Sequence, residues 1–322
     1  MDIGQISETI PFGIGHGSIG DKSGAIVVVN DRASLLPALL DRPGVAGILP
    51  ASMPEFMGQW ERWQESLRKL TPDERWTSVD DVRFTAPIPD PWNIFQPYHN
   101  FERTSIVTGQ ADPPKSERVL PDFFFGSRSA LAGYGDTVFQ EMDGGRFDFE
   151  VEITAIIGKE AYRVSADDAL DYVAGYCITN DFTMHHAWWR PIRNKSRIND
   201  NIRMKNFPGY SPVSRVIVPK DLVGDPHNLR VRTWVDDMLR QDIRTDTMLW
   251  SVPELIEYLS WVMPLRPGDM ILCGSPGDLP MPEGVKAGVL PGQVVRCEIE
   301  RIGQLVNPVS LQDQRPPYQP KS

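Results

Sequence analysis

The stretch RFDFEVEITAIIGKE, residues 146–160, constrains the fold of this chain more than any other. Apolar side chains at Phe147, Phe149, Val151 and Ile153 alternate with Asp148, Glu150 and Glu152. Strand side chains point to alternate faces, so the spacing predicts a β-strand with one apolar face and a line of three carboxylates on the other. Ile156 and Ile157 extend the apolar run and predict that the strand is buried. Close carboxylates repel one another unless water screens them, a proton is shared or a cation sits between them. A lone E-x-E is usually a solvated strand face, but an acidic stripe in so apolar a run calls for a counter-charge.

Other signals point to a β-rich chain. The 29 prolines and 26 glycines among 322 residues imply many turns rather than long helices. LRPGDMILCG and VLPGQVVRCEIERIG each set a Pro-Gly turn before a β-type run. SADDALDYVAGY, with Ser165 and Asp168, and SVPELIEYLSWVM, with Ser251 and Glu254, carry capping-box spacing and predict helices, the second ended by Pro264. Residues 1–88 read as a small N-terminal α/β unit with a strand at 24–29, a brief helix broken by Pro37 and an amphipathic helix over 54–70. The four prolines of TAPIPDPWNIFQPY, residues 85–98, predict an extended linker, and residues 89–322 read as the main domain. GHGSIG, residues 15–20, fits G-x-G-x-x-G, but a strand rather than a helix follows it, so a glycine-rich turn is expected instead of a dinucleotide site.

Charge and cysteine content narrow the function. Acidic residues outnumber basic ones 43 to 33, a formal charge of −10, which disfavours nucleic acid or an anionic membrane as a partner. Cys177, Cys273 and Cys297 lie far apart, without C-x-x-C, and are expected to be reduced thiols. The first residues lack a signal-peptide pattern and no apolar run approaches membrane-spanning length, so a soluble, cytoplasmic protein is expected.

Asp181, in GYCITNDFT, follows the first capped helix. A strand–helix–strand path can bring it beside Glu150 and Glu152, and three carboxylates suit a hard dication, Mg²⁺ or Mn²⁺, better than zinc. Such an ion leaves positions for an oxygen-rich substrate such as a 2-oxo acid or a 1,3-dicarbonyl. His99 and Glu102, three residues apart, can pair on one helical turn, the carboxylate raising the basicity of the imidazole. His185 and His186 follow Asp181 closely enough to approach the same place.

Taken in order, His99-x-x-Glu102, FDFEVEITAIIGK, ALDYVAGYCITND, KNFPGYSP, YLSWVMPLRPGDMILCGSPG and GQVVRCEIERIGQLVNPV resemble the fumarylacetoacetate hydrolase family over residues 97 to 310. The resemblance implies an α+β, β-rich fold: a mixed β-sandwich roll, usually a homodimer, with a small N-terminal domain. It implies Mg²⁺ or Mn²⁺ on Glu150, Glu152 and Asp181, water activation by His99 and Glu102, and Lys205, from K-x-F-x-G-x-x-P, at the metal-bound substrate. The reaction implied is hydrolysis of a carbon–carbon bond in a 2,4-dioxo acid, as in aromatic catabolism. Some relatives instead decarboxylate, isomerise or dehydrate oxo acids or sugar acids, and a non-catalytic binding protein on the same fold is a third reading.

Several positions depart from the family pattern. His185 stands where many relatives have arginine, Trp188 where hydrolases often have glutamine, and Gly126 where a lysine is common. Gly274-Ser275-Pro276 replaces G-T-P and keeps a hydroxyl, while Arg128 and the basic segment over 190–205 offer other cations. His185, Ser275 and Arg128 are therefore the expected substrate contacts, in a pocket rebuilt around an unchanged metal centre.

Overall fold

A computed structural model describes residues 10–45, 47–101, 120–141, 145–185, 204–277, 279 and 287–312. Its strands are β1 (Phe12–Ile19), β2 (Lys22–Val29), β3 (Arg32–Leu35), β4 (Thr77–Ser78), β5 (Arg83–Phe84), β6 (Ile94–Tyr98) and β7 (Asp122–Phe125). Next come β8 (Leu131–Ala132), β9 (Val138–Gln140), β10 (Arg146–Asp148), β11 (Val151–Ile157), β12 (Val173–Asn180), β13 (Thr183–His185) and β14 (Ser211–Pro212). The last are β15 (Val216–Pro219), β16 (Arg230–Val235), β17 (Met238–Arg244), β18 (Met270–Leu272), β19 (Val294–Ile299) and β20 (Gly303–Leu311). The α-helices are α1 (Met53–Gly58), α2 (Trp60–Leu67), α3 (Ala166–Ala169), α4 (Lys220–Val223) and α5 (Val252–Val262).

Eleven strands form one mixed sheet in the order β4-β3-β2-β1-β15-β12-β11-β18-β6-β7, with β5 beside β1. Only the β18–β6 neighbours on that path run parallel. A second sheet has the order β17-β16-β19-β20-β9. Alternation sorts the buried side chains of the large sheet into two cores. On one face Val151, Ile153, Ala155 and Ile157 meet Val231, Val295 and Leu305 of the second sheet and Val252 and Leu255 of α5. On the other, Ile156, Cys177 and Leu272 meet Phe56 and Trp63 of α1 and α2. The result is the β-rich α+β sandwich expected from the sequence, with both faces of β11 and β12 sealed.

Four local expectations change. GHGSIG is a turn only at its last residue, Gly20 (φ +61°); residues 15–19 belong to β1, where Gly15 and Gly17 serve close approach between backbones. A Cβ on Gly15 would sit 2.4 Å from the Arg215 carbonyl oxygen, and one on Gly17 would sit 2.3 Å from that of Arg83. The end of the proline-rich linker is strand β6, four of whose five residues are buried, because Pro97 follows the apolar run instead of interrupting it. The helix over 54–70 is two helices that meet at Gln59, whose φ of −109° and ψ of 14° lie outside the helical range. Ser165 caps no backbone N–H but donates to Asp168 at 2.7 Å, and α3 is a single turn. At α5, by contrast, Ser251 and Glu254 form the complete reciprocal box. β1 pairs with β15, so the large sheet contains strands from both sides of residue 88.

All three cysteines are buried and free. Among the described residues, no helix is long and apolar enough to cross a membrane.

Candidate metal centre

The acidic stretch is not one strand. Arg146 to Asp148 pair with β13 in a small separate sheet, and β11 begins again at Val151 in the large one. The break at Phe149–Glu150 is held by two bonds: the Glu150 N–H donates to the Asn180 side-chain oxygen at 2.8 Å, and the Asp181 N–H donates to the Glu150 carbonyl at 2.8 Å. Asp148 is thereby separated from the other two acids. Because β11 and β12 are antiparallel, with Glu152 opposite Thr179, the entry of one strand and the exit of the other coincide. That register brings Asp181 to Glu150 and Glu152.

A carboxylate oxygen from each of Glu150, Glu152 and Asp181 lies within 4.8 Å of the other two. Glu152 and Asp181 are 3% and 1% exposed, so neither charge is screened by water. Burial, then repulsion from Asp181, pushes Glu152 well above the usual carboxylate range, and burial pushes Asp181 up to about 6 against the opposing pull of Lys205. Lys205 bonds the Asp181 carboxylate, reaches its carbonyl oxygen at 3.1 Å and lies 3.2 Å from Glu150 Oε2. Burial alone would lower the lysine pKa, but Asp181 and Glu150 outweigh it and hold it above its ordinary value. Among the described residues, three carboxylates and the Lys205 ammonium make up this cluster, an oxygen-rich set. Such a surplus of hard oxygen donors fits Mg²⁺ or Mn²⁺ and not a soft-ligand metal.

Supporting groups come from beside the segments the sequence marks, and from Gln96, which it does not. Gln96, on β6, donates to Asp181 Oδ1 at 2.7 Å, and Thr183 donates to Glu150 Oε1 at 3.2 Å. The Gly274 N–H donates to Glu152 Oε2 at 2.5 Å. Gly274 has φ +86°, and a Cβ there would lie 2.7 Å from that of Asn100. Asn100 itself donates to the Cys273 and Trp250 carbonyls, at 2.8 and 2.9 Å, and fixes the chain just after His99. Gln96 was hidden by the proline-rich context; its place inside a short apolar run, NIFQ, was the available signal.

A cleft of about 120 Å³ is lined by His99, Glu150, Glu152, Asp181, His185, Lys205 and Ser275, with Tyr98, Phe124 and Met204 among its walls. His99 takes the left-handed conformation, φ +55°, at the end of β6, and its ring meets Tyr98 edge-on at 4.1 Å. His185, at the end of β13, lies 3.1 Å from Asp148 Oδ2. Ser275 is buried, 3.4 Å from the Gln241 amide. Arg128 differs: it is exposed on a short 3-10 turn and does not line the cleft. Glu102, His186, Trp188 and most of the basic 190–205 segment lie outside the described residues.

The model of the fumarylacetoacetate (FAA) hydrolase C-terminal family matches residues 93–310. A 4-hydroxyphenylacetate degradation bifunctional isomerase/decarboxylase of Escherichia coli is 38% identical over 61% of the chain, a match that spans only 42% of that relative. A mitochondrial oxaloacetate tautomerase of Bos taurus is 30% identical over 81% of this chain and 80% of its own. In shape, the maleylpyruvate hydrolase of Sphingobium sp. SYK-6 superposes with a TM-score of 0.70 at 26% identity, covering 93% of this chain and all of that one. A second structure of that hydrolase, with manganese(II) and pyruvate, has a TM-score of 0.73 at 24% identity over 94% of this chain and all of that one. From its sheet topology, its buried acid triad and a match that runs through both, this chain belongs to the fumarylacetoacetate hydrolase family.

Proposed function

We propose that this protein is a divalent-metal-dependent enzyme that hydrolyses a carbon–carbon bond in a 2,4-dioxo acid of the acylpyruvate or fumarylpyruvate type. The observation that carries the metal reading is the cluster of three mutually close carboxylates, two of them sealed from water, with Lys205 against them. Glu150, Glu152 and Asp181 are the residues to hold Mg²⁺ or Mn²⁺. When bound, the ion supplies Lewis-acid neutralisation of the two oxygens of an oxo acid. Lys205 adds a fixed positive charge beside the same oxygens and favours the enolate over the neutral ketone. His99, held by the Asn100 anchor, faces the cleft where it can take a proton from water, and Glu102 is assigned to orient it. Ser275 and His185 contact the substrate; Arg128, exposed and off the cleft wall, loses that role.

A second reading uses the same residues without water: decarboxylation, isomerisation, hydration or tautomerisation of a 2-oxo acid. The likeness to an isomerase/decarboxylase and an oxaloacetate tautomerase favours it, and it shares the enol form with the first. Both readings place the protein in the breakdown of aromatic compounds, acting as a cytoplasmic homodimer with no nucleic-acid or membrane partner. Purified protein given Mn²⁺ or Mg²⁺ is to be assayed on acylpyruvates, fumarylpyruvate and oxaloacetate. Release of pyruvate plus a second acid supports hydrolysis; CO₂ release or loss of enol absorbance without cleavage selects the second reading. Absence of metal binding rejects both, and light scattering tests the dimer.

A further inference from the structure

Asp148, the third acid of the 146–152 stretch, is no part of the metal cluster, yet it is not idle at the surface. Its Oδ2 lies 2.6 Å from Arg146 and 3.1 Å from Nε2 of His185, with the acid 18% and the imidazole 36% exposed. The register of the β10–β13 pair builds this contact: Arg146 stands opposite His185 and Asp148 opposite Thr183, so acid and imidazole meet on the diagonal. Thr183 in the same strand bonds Glu150, which ties β13 to the metal cluster. His185 therefore lines the cleft at one end and is gripped by a carboxylate at the other.

We propose that His185 and Asp148 form a proton-transfer couple serving the substrate carbon, separate from His99. The inference rests on the enzymatic reading above and deepens it. A carboxylate only accepts, so Asp148 selects the tautomer with the proton on Nε2 and leaves Nδ1 as the basic nitrogen. Nδ1 takes a proton from the carbon between two carbonyls, and the C–H electron pair becomes the C=C bond of the enolate. The imidazolium then returns that proton to the carbon or to the oxygen, so nothing is oxidised or reduced and no co-reactant is needed. Arg146, bound to the same Oδ2, fixes the carboxylate in place; among the described residues, Glu150, Glu152, Asp181, Lys205 and His99 are the other charged or titratable groups lining the cleft. Asp148 acts only through His185 and is a positioning residue.

The test begins with long-range ¹H–¹⁵N spectra of the metal-free protein, with His185 assigned by its loss in His185→Gln. The expected result is an Nε2–H tautomer that becomes mixed in Asp148→Asn. With Mn²⁺ bound, His185→Gln is expected to lower turnover about 100-fold or more, within the range of general acid–base catalysis, and Asp148→Asn, which acts only through His185, less, on the order of 10-fold. Calorimetric Mn²⁺ affinity should stay within about twofold in both, separating this couple from the metal ligands. Free imidazole should restore part of the turnover of His185→Ala, an effect a packing role does not produce. An Nδ1–H tautomer in the wild type, or undiminished turnover in His185→Ala, overturns the proposal. If the wild type binds Mn²⁺ but turns over no oxo acid, the functional reading fails, and the tautomer measurement still decides the couple.

Discussion

Lys205 meets Asp181 where both side chains are almost sealed from water, at 8% and 1% exposure, whereas Lys159 meets Glu61 at 2.7 Å with 46% and 69% exposed. Glu61 behaves as a paired acid at a surface does: the hydrogen bond from Lys159 pulls its pKa down. Asp181 has a lysine at least as close, yet its pKa rises, because burial outweighs the partner. The same two charges thus make a resting pair at the surface and a frustrated one in the cleft. A dication in place of, or beside, the ammonium relieves that frustration, which is the physical case for metal at this site.

The most damaging way to break the buried side is Glu152→Gln. The amide keeps the shape of the protonated acid but removes one oxygen anion, so Mn²⁺ affinity should fall by on the order of 100-fold or more, beyond the effect of an outer partner. Folding of the metal-free protein should be kept or improved, because a buried, repelled charge is gone. Calorimetric titration with Mn²⁺ and urea denaturation check the two halves. Wild-type affinity in the variant sinks the metal assignment.

Next in size is the pH response of the chelated protein. The folded pKa of Asp181, about 6, lies above its unfolded value of 3.8, and Glu152 is raised as well. For groups shifted this way, the stabilising contribution is fully present below the unfolded pKa and is lost as pH rises through the folded one. Chelated protein should therefore lose stability from this cluster between about pH 4 and pH 6 and above, opposite in sign to Glu61, whose lowered pKa contributes only once pH exceeds its unfolded value. Metal at 100 times its Kd contributes about 2.7 kcal/mol, or roughly 5 °C or more in Tm, and most above pH 6, where protons no longer compete. Thermal melts with and without chelator across pH 4 to 8 measure it. Equal metal stabilisation at pH 4.5 and pH 7.5 contradicts the assignment.

The triad was legible because its two halves each carry a strong local signal: alternation puts Glu150 and Glu152 on one side, and Asp181 ends an apolar run. What alternation could not reveal was the break at Phe149–Glu150, since Asp148 keeps the period while leaving the sheet. That break depends on Asn180 and on the Asp181 backbone, both distant in sequence. The glycine run of β1 misled for a related reason. Its purpose is the approach of Arg83 and Arg215 backbones, which no window around residue 15 contains. Proline likewise overstated the linker, hiding Gln96, whose amide supports the cluster from β6, a strand distant in sequence but in the same sheet. Local chemistry was readable; contacts made across the sheet were not.

The smallest effect belongs to the surface pair, and it sharpens the contrast most cleanly. Lys159 joins α2 to the end of β11 through Glu61, so both partners can be truncated without touching either core. A double-mutant cycle of Lys159→Met and Glu61→Gln should give a coupling of about 0.2–1 kcal/mol, since water screens the ions and ordering two long side chains opposes the attraction. In 1 M salt, where the Debye length is about 3 Å, the coupling should fall toward zero. The parallel cycle of Lys205→Met with Asp181→Asn should respond little to salt, because the pair is buried away from bulk water, where screening is weak. Its single Lys205→Met variant should lose several kcal/mol without metal, since it leaves uncompensated buried carboxylates, and regain most of the loss when Mn²⁺ is added. If both cycles respond equally to salt, burial is not what distinguishes the two pairs, and the electrostatic argument for the metal falls with it.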